Sequence, residues 1–524
     1  SSAASDVYKR QSLNVRKGKW NVFMNSSGRI NHTWNNVTTN RVDKIPDIGG
    51  KTQSYYTKEE VPRIFNGTFN TLGATYDIDK NNSITFTGNV NKMEFSFRDA
   101  SDYYVYNQPN EPRTIFSKQS KNSSFMGSPF SVSGSVDYKR KFKKKDEELN
   151  VDATFAQTAM VRHQDYTTFN YVPDSSHPSI MLTNGPNPII QRAPGSGGNN
   201  SLNVWADYTD PLFTKNGKLG LGFKSQIYNF NSTNESYIDS GATGNWIANT
   251  ALLAGYNYTQ QTHAAYINWS DQVGKFSYQL GFRTEDAIYD GKGKVPYDST
   301  FHNAFLNFFP SAFITYQLPE QQSIYLNYGR RINRPGFMQL LPFVDLSNPG
   351  TVSKGNPGLI PEYINNVEFS YNKSTSKGSN FIVSVYYAYT QNLTERILRN
   401  VDSTQAATYG VPTTTQFSQP VNIASGTTFG FEGTGRFQFT PAWDATASAN
   451  LFRNQLVIGS DPALDKLLSN NSGYTWFGKV NSNLKLPKGF SLQLNANYES
   501  PKVVAQGNIQ ESYWVDLALR KNFW

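Results

Sequence analysis

The chain contains no cysteine and only five histidines in 524 residues. The first absence removes disulfide staples, thiolate metal sites and a cysteine nucleophile together, and says little about compartment. The second leaves no HExxH motif and no histidine pair at metal spacing, so a catalytic zinc centre has no support. No other catalytic constellation is marked, and the expectation is a protein that is not an enzyme and carries no cofactor. Long apolar runs are missing as well. Without a stretch of about 18–20 apolar residues the chain has no transmembrane helix. A transmembrane barrel is not excluded, because its strands show lipid only every second residue. Aliphatic side chains are sparse too: the hydrophobic fraction is 37% and the mean hydropathy is negative. A sheet covered on both faces would need apolar residues at every position of its strands, and here they come singly.

Aromatic residues are plentiful: they make up 14% of the chain, with 31 Tyr, 35 Phe and 9 Trp. The net charge is +9, but the basic residues are scattered. The one dense run, Lys139, Arg140, Lys141, Lys143, Lys144 and Lys145, abuts Asp146, Glu147 and Glu148, which reads as a solvated turn rather than a phosphate-binding patch. No nucleic-acid partner is expected. Residues 1–11 match nothing that follows, and are set aside as a non-native leader or artefact, leaving 12–524 as the fold.

Alternation with period two is the informative pattern. Phe490, Leu492, Leu494, Ala496 and Tyr498 alternate with Ser491, Gln493, Asn495 and Asn497. Trp443, Ala445, Ala447, Ala449 and Leu451 alternate with Asp444, Thr446, Ser448 and Asn450. Tyr474, Trp476, Gly478, Val480, Ser482 and Leu484 repeat the pattern, with Phe477 as the exception. Such stripes, aliphatic at mid-depth and aromatic at the ends, are what lipid and its two headgroup levels select. On the same logic Gly217, Gly220 and Gly222 sit on a strand with no following helix, so they relieve crowding or kink the wall rather than cradle phosphate.

A soluble sandwich also alternates, so the joints decide. Short turns fall at 79–82, 143–146, 215–218, 271–274, 319–321, 374–378, 440–441 and 487–489. Between them lie long connections, roughly 31–62, 97–127, 163–198, 231–254, 289–304, 335–361, 395–418, 456–472 and 501–510. Strict alternation of short and long joints sorts them to opposite rims of an up-and-down barrel, periplasmic and extracellular. The fold class is therefore all-β: a transmembrane antiparallel up-and-down β-barrel with about 18 strands of roughly ten to sixteen residues. The outer loops are expected to be shaped by turns rather than helices, and the loop 163–198 to accept an epitope near Gly195–Gly198.

From Tyr325 to Tyr371 the chain reads YLNYGRRINRPGFMQLLPFVDLSNPGTVSKGNPGLIPEYINNVEFSY. With Arg330-Arg331-Ile332, Arg334-Pro335, Gly355-Asn356-Pro357 and Pro361-Glu362 in this order, the segment resembles the outer-membrane β-barrel family of Bacteroidetes-type TonB-dependent receptors. Supporting matches are Arg16 to Asn21, His263 to Arg283 and Tyr513 to Phe523. The resemblance implies a barrel of about 22 strands, so that some strands and the N-terminal plug with its TonB box lie outside this sequence. It implies as partners the outer-membrane bilayer, a plug, the TonB complex and a scarce nutrient: siderophore, glycan, peptide or vitamin. A passive porin-like channel and a secreted all-β glycan-binding protein are the rival readings. Candidate contacts with ligand or plug are Arg330, Arg331, Arg334, Asn356 and Glu362. The alternative for the arginines is ion pairing inside their own loop, with Asp345 or Glu362. Tyr103, Tyr104 and Tyr106 are placed in an outer loop, where their rings would stack on a flat ligand or pack the loop itself.

Overall fold

The computed structural model describes residues 3–522 apart from 43–53, 107–114, 175–180, 184–187, 213–215, 251–253, 296, 341–343, 349–350, 377, 410, 412, 414 and 460–469. Its main sheet contains 23 strands. Four of them, Met181–Thr183, Ile189–Arg192, Tyr237–Ser240 and Ile247–Ala248, run only two to four residues. The other nineteen form the wall: β1 Ala3–Lys17, β2 Trp20–Val42, β3 Ser54–Asp77, β4 Asn82–Tyr106, β5 Ile115–Lys141, β6 Glu148–Pro173, β7 Gly195–Asp210, β8 Lys218–Asn234, β9 Ala254–Val273, β10 Phe276–Val295, β11 Tyr297–Leu318, β12 Gln322–Asn333, β13 Glu362–Ser374, β14 Asn380–Gln391, β15 Ser425–Thr440, β16 Trp443–Val457, β17 Asn471–Leu486, β18 Phe490–Glu499 and β19 Ser512–Lys521. Each pairs antiparallel with the next. This is the up-and-down order of a barrel wall. The count is nineteen against about 18 expected, the additional strand being β1. Residues Ala3–Gln11, excluded from the fold by sequence, extend that strand and pair with Ser26–Trp34.

Register fixes the two faces. Phe437, Ala445, Ser482, Leu494 and Leu517 lie side by side across five strands, and Gly435, Ala447, Val480, Ala496 and Val515 form the row above. The alternation seen in the sequence thus becomes one continuous apolar belt, and Phe477 belongs to the opposite, inner face. At the short-turn end the belt finishes in paired rings on the outer face: Trp20 with Tyr76 at 4.7 Å, Trp269 with Tyr278 at 5.2 Å, Phe276 with Tyr316 at 4.6 Å and Phe439 with Trp443 at 4.4 Å. Rings at this level form the aromatic girdle of a membrane barrel.

All eight short turns of the sequence reading fall between neighbouring strands, with residues 215 and 377 of two of them outside the described residues, and a ninth at Gly18-Lys19 joins β1 to β2. Gly18 and Gly274 carry the positive φ, 58° and 62°, that a tight hairpin requires. At Asp79 the backbone N–H groups of Asn81 and Asn82 donate to Oδ1 at 2.7 and 2.9 Å; the Asn81 bond foremost holds this carboxyl below the usual range. The basic run ends β5 and enters the 142–147 turn, and is neutralised locally, Lys139 by Glu148 at 2.9 Å and Lys144 by Asp210 at 2.6 Å. Gly222 relieves crowding, since a Cβ there would enter the ring of Tyr266 on β9; Gly220 faces no such contact closer than 3.7 Å.

The long connections are shorter than the alternation implies. Strands β2 to β6 run 23, 24, 25, 27 and 26 residues, more than twice the length needed to cross lipid. Their upper halves carry no strand signature in the sequence, because above the bilayer both faces meet water and the hydrophobic alternation stops, while main-chain pairing continues. Tyr103, Tyr104 and Tyr106 consequently lie on β4 instead of in a loop. Gly195–Gly198 likewise lie on β7, where a Cβ on Gly197 or Gly198 would meet a backbone oxygen at 2.6 Å. Insertion is therefore expected to be tolerated between Gly244 and Asn245, exposed in the turn after Tyr237–Ser240, and an epitope there should label on intact cells. Two short helices, Phe337–Leu340 and Ser403–Tyr409, also replace what had been read as turns.

Candidate functional site

Three upper connections fold together over the barrel. Val344–Asn348, Thr351–Lys354, Gln416–Asn422 and Thr394–Asn400 form a second sheet in that order, with Thr351–Ser353 parallel to Gln416–Ser418. Neither connection could bury a core alone. Together they enclose Val352, Val401, Ala406 and Phe417. A second cluster of Ile397, Ile423, Leu456 and Ala505 ties in the hairpin Lys502–Val504 with Gly507–Ile509. Gln506 locks that hairpin on, accepting from Leu398 N at 2.6 Å and donating to Leu398 O at 2.8 Å. Asn422 accepts from Ile360 N at 2.9 Å and donates to Asn392 O at 2.8 Å, bridging the first two connections. The loops therefore form one cap.

The cap reaches inward through the 334–361 connection. Its Leu340 and Leu359 are buried against Tyr256, Tyr258, Ala287 and Tyr289, which occupy the inner face of β9 and β10, opposite Trp269 and Phe282. Beside this seat lies a charged cluster. Arg283 Nη2 meets Glu285 Oε2 at 2.9 Å, and Arg334 pairs with the other oxygen of Glu285. Arg283 also stands over the Tyr266 ring at 5.5 Å, and the Tyr266 hydroxyl donates to Asp207. The Arg330 guanidinium lies 4.9 Å from the Tyr363 ring centre, and Tyr363 donates to Asn307 at 2.5 Å. Buried Nε atoms of Arg330 and Arg334 and the Tyr289 hydroxyl have no hydrogen-bond partner among the described residues. Buried donors without acceptors are costly.

The structure thus brings Arg330 and Arg334 to one place. Arg334 pairs with Glu285 of the wall instead of Asp345 or Glu362. Arg331 is exposed on β12, opposite Ile364. Glu362 accepts from Asn333 at 2.7 Å and from Thr394 N at 2.5 Å, and Asn356 donates to Pro420 O at 3.1 Å while accepting from Gly358 N at 3.0 Å; both brace the cap. Tyr104 and Tyr106 share the outer face of β4, with Lys118 5.1 Å from the Tyr104 ring, whereas Tyr103 has inner-face parity. Glu285, Arg283, Tyr256, Tyr258 and Tyr289 were not singled out by sequence. Their signal was there in the period-two pairs Tyr256/Tyr258 and Arg283/Glu285, which place like chemistry on one face.

One carboxylate gives the cap a pH response. Burial, and then the nearby Glu362 carboxylate, raise the Glu395 pKa above its usual value. A carboxyl whose folded value is raised contributes stability at low pH that is lost as pH rises through the folded value. Protection of the amides in Thr394–Asn422, taken relative to their intrinsic base-catalysed exchange, should therefore fall as pH rises above the usual carboxylate range, and Glu395→Gln should flatten that dependence. An unchanged profile in Glu395→Gln would dismiss this carboxyl as the source.

The model of the outer membrane protein beta-barrel family matches residues 140–524. No curated protein matches the sequence. Among solved structures, the chain resembles the ferric citrate transporter FecA in its unliganded form (TM-score 0.53, 10% identity), covering 99% of this chain and 71% of that one. It resembles the copper transporter OprC (0.52, 14%, 99% and 71%) and the ferric yersiniabactin uptake receptor FyuA of Yersinia pestis (0.51, 13%, 98% and 71%). At such identities the likeness is one of fold.

Proposed function

We propose that this chain, which belongs to the outer membrane protein beta-barrel family, forms the wall and outer cap of a TonB-dependent receptor that takes up a scarce nutrient. The observation that carries this reading is the cap seated on the lumenal tyrosines. A passive channel needs a standing aqueous path, whereas here Leu340 and Leu359 are buried inside the mouth. Passage then requires work on the cap or below it, which is the task of a plug and an energised TonB complex. Asn481, Asn483, Gln493, Asn495 and Asn497 line the inner face beneath the cap, a surface suited to a water-soluble plug. Among the described residues β1 pairs with β2 alone and β19 with β18 alone, and unpaired edges in lipid are costly. Arg330, Arg331 and Arg334, with Tyr103 on the inner-face parity of β4, are the residues we assign to ligand or plug; Asn356 and Glu362 act by holding the cap. Tyr104 and Tyr106 would meet only a ligand approaching from outside the wall.

The test is conductance and energy dependence. The receptor purified from outer membranes should show no steady KCl conductance in planar bilayers, and nutrient accumulation by cells should cease when TonB is deleted. A steady ohmic conductance with uptake indifferent to TonB would assign a porin instead.

A further inference from the structure

The wall carries a second recessed site, remote from the cap. A cavity of about 390 Å³ is lined by His163, Gln164, Asp165, Arg192, Pro194, Tyr237 and Trp246. It is built by a small extension of the sheet: Ile189–Arg192 pairs with β6 through Asp165 and Arg192, and with Tyr237–Ser240 on its other side. The frame is braced. Ala193 N donates to Gln164 O at 2.7 Å, Glu235 N to Pro194 O at 2.9 Å and Gln191 to the Ser236 hydroxyl at 3.0 Å. Asp239 accepts from Thr243 N at 3.0 Å and Gly244 N at 2.7 Å, fixing the turn that delivers Trp246. The Arg192 guanidinium lies 4.2 Å from the Trp246 ring centre, and its Nε stands 3.9 Å from Asp165, beyond hydrogen-bond reach, so both charged groups keep free valences. Their side chains stay 60% and 52% exposed.

Position decides what such a pocket meets. His163 and Asp165 continue the exposed outer face of β6 that runs through Phe155 and Val161. Val161 tops the apolar stripe, and each pair of residues rises by about 6.6 Å along the strand. His163 and Asp165 therefore stand at the headgroup level of the outer leaflet, and the pocket opens sideways, away from the barrel axis and off any path through it. Its chemistry is that of sugar recognition: an aromatic face for ring C–H groups beside planar polar side chains that address hydroxyls, with Arg192 available to an anionic substituent. The geometry points to a binding site for the saccharide headgroup of an outer-leaflet glycolipid, with Trp246 as the stacking platform and Asp165 and Arg192 as the polar contacts.

The test uses the delipidated receptor in detergent and purified lipopolysaccharide as probe, with retention of the heat-modifiable gel shift as the check on folding. Trp246→Ala should weaken binding by about tenfold or more, the value of one lost stacking face. Trp246→Phe, which keeps a ring, should stay within a few-fold of the parent, and Arg192→Gln should reduce binding to phosphorylated more than to dephosphorylated probe. Undiminished binding by a folded Trp246→Ala variant would overturn the proposal, as would a Phe variant as weak as the Ala variant. Equal affinity for free core oligosaccharide would overturn the lipid-anchored occupant in favour of a soluble glycan.

Discussion

Leu494→Arg is expected to destabilise the barrel by about 2–4 kcal/mol, and Asn495→Arg by far less. The two residues are adjacent on β18 and differ only in the face they present. Leu494 lies between Ser482 and Leu517 in the apolar belt, with Leu492 and Ala496 below and above it on the same face. Phe490 closes that stripe at the turn and Tyr498 at the top, so Leu494 is the middle of five outward positions and the one furthest from either headgroup level. An arginine there must drag its charge through hydrocarbon or thin the bilayer around it. Asn495 is flanked by Asn481 and Asp516, on the watered side, where a guanidinium finds a carboxylate neighbour. Urea midpoints in lipid vesicles separate the two outcomes, and equal losses would remove the facing assigned to this entire sector of the wall.

That facing was legible in the sequence because the bilayer writes on it. Between the turn at 487–489 and Glu499 every outward residue contacts lipid and every inward one contacts water, so polarity alternates without exception. Turns were legible for a related reason: Asp79-Lys80-Asn81-Asn82 carries its own side-chain cap, and Gly274 its own backbone freedom. Strand ends above the membrane were not, since Lys58-Glu59-Glu60 pairs with Ala100-Ser101-Asp102 in a stretch where neither face excludes water and nothing marks the backbone as extended. The arginine cluster was half legible. Arg330 and Arg334 stood out by local motif, but the partner of Arg334 sits 49 positions earlier on a different strand, and only the fold brings Glu285 to it. The cap was less legible still: the parallel pairing of Thr351–Ser353 with Gln416–Ser418 joins two segments that each read as irregular.

Glu285→Ala is expected to loosen the cap more than any substitution within the cap itself. Glu285 is one carboxylate shared by two guanidiniums, its side chain 5% exposed, with Arg283 and Arg334 at 30% and 25%. Removing it leaves both cations crowded together, short of water and without their common counterion. Breaking a buried pair from one side costs about 3–5 kcal/mol, because the surviving charge keeps its desolvation penalty; partial access of water to the arginines places this case toward the lower figure. The wall itself should survive, since β10 remains paired with β9 and β11 along its length. Strain relief instead falls on Arg334, whose one ion pair among the described residues is this contact, and with it on Leu340 and Leu359. Amide exchange across Thr351–Lys354 should therefore rise in Glu285→Ala, rise less in Glu285→Gln, which retains an acceptor, and fall back toward the parent in Glu285→Ala combined with Arg334→Met, where no unpaired cation is left on the cap. The same series should appear in planar bilayers as KCl conductance events, frequent in Glu285→Ala and scarcer in the double variant. If the single substitutions at 285 and 334 prove additive, the carboxylate and the guanidinium do not act as a latch, and the seating of the cap must be credited to Leu340, Leu359 and the tyrosines alone.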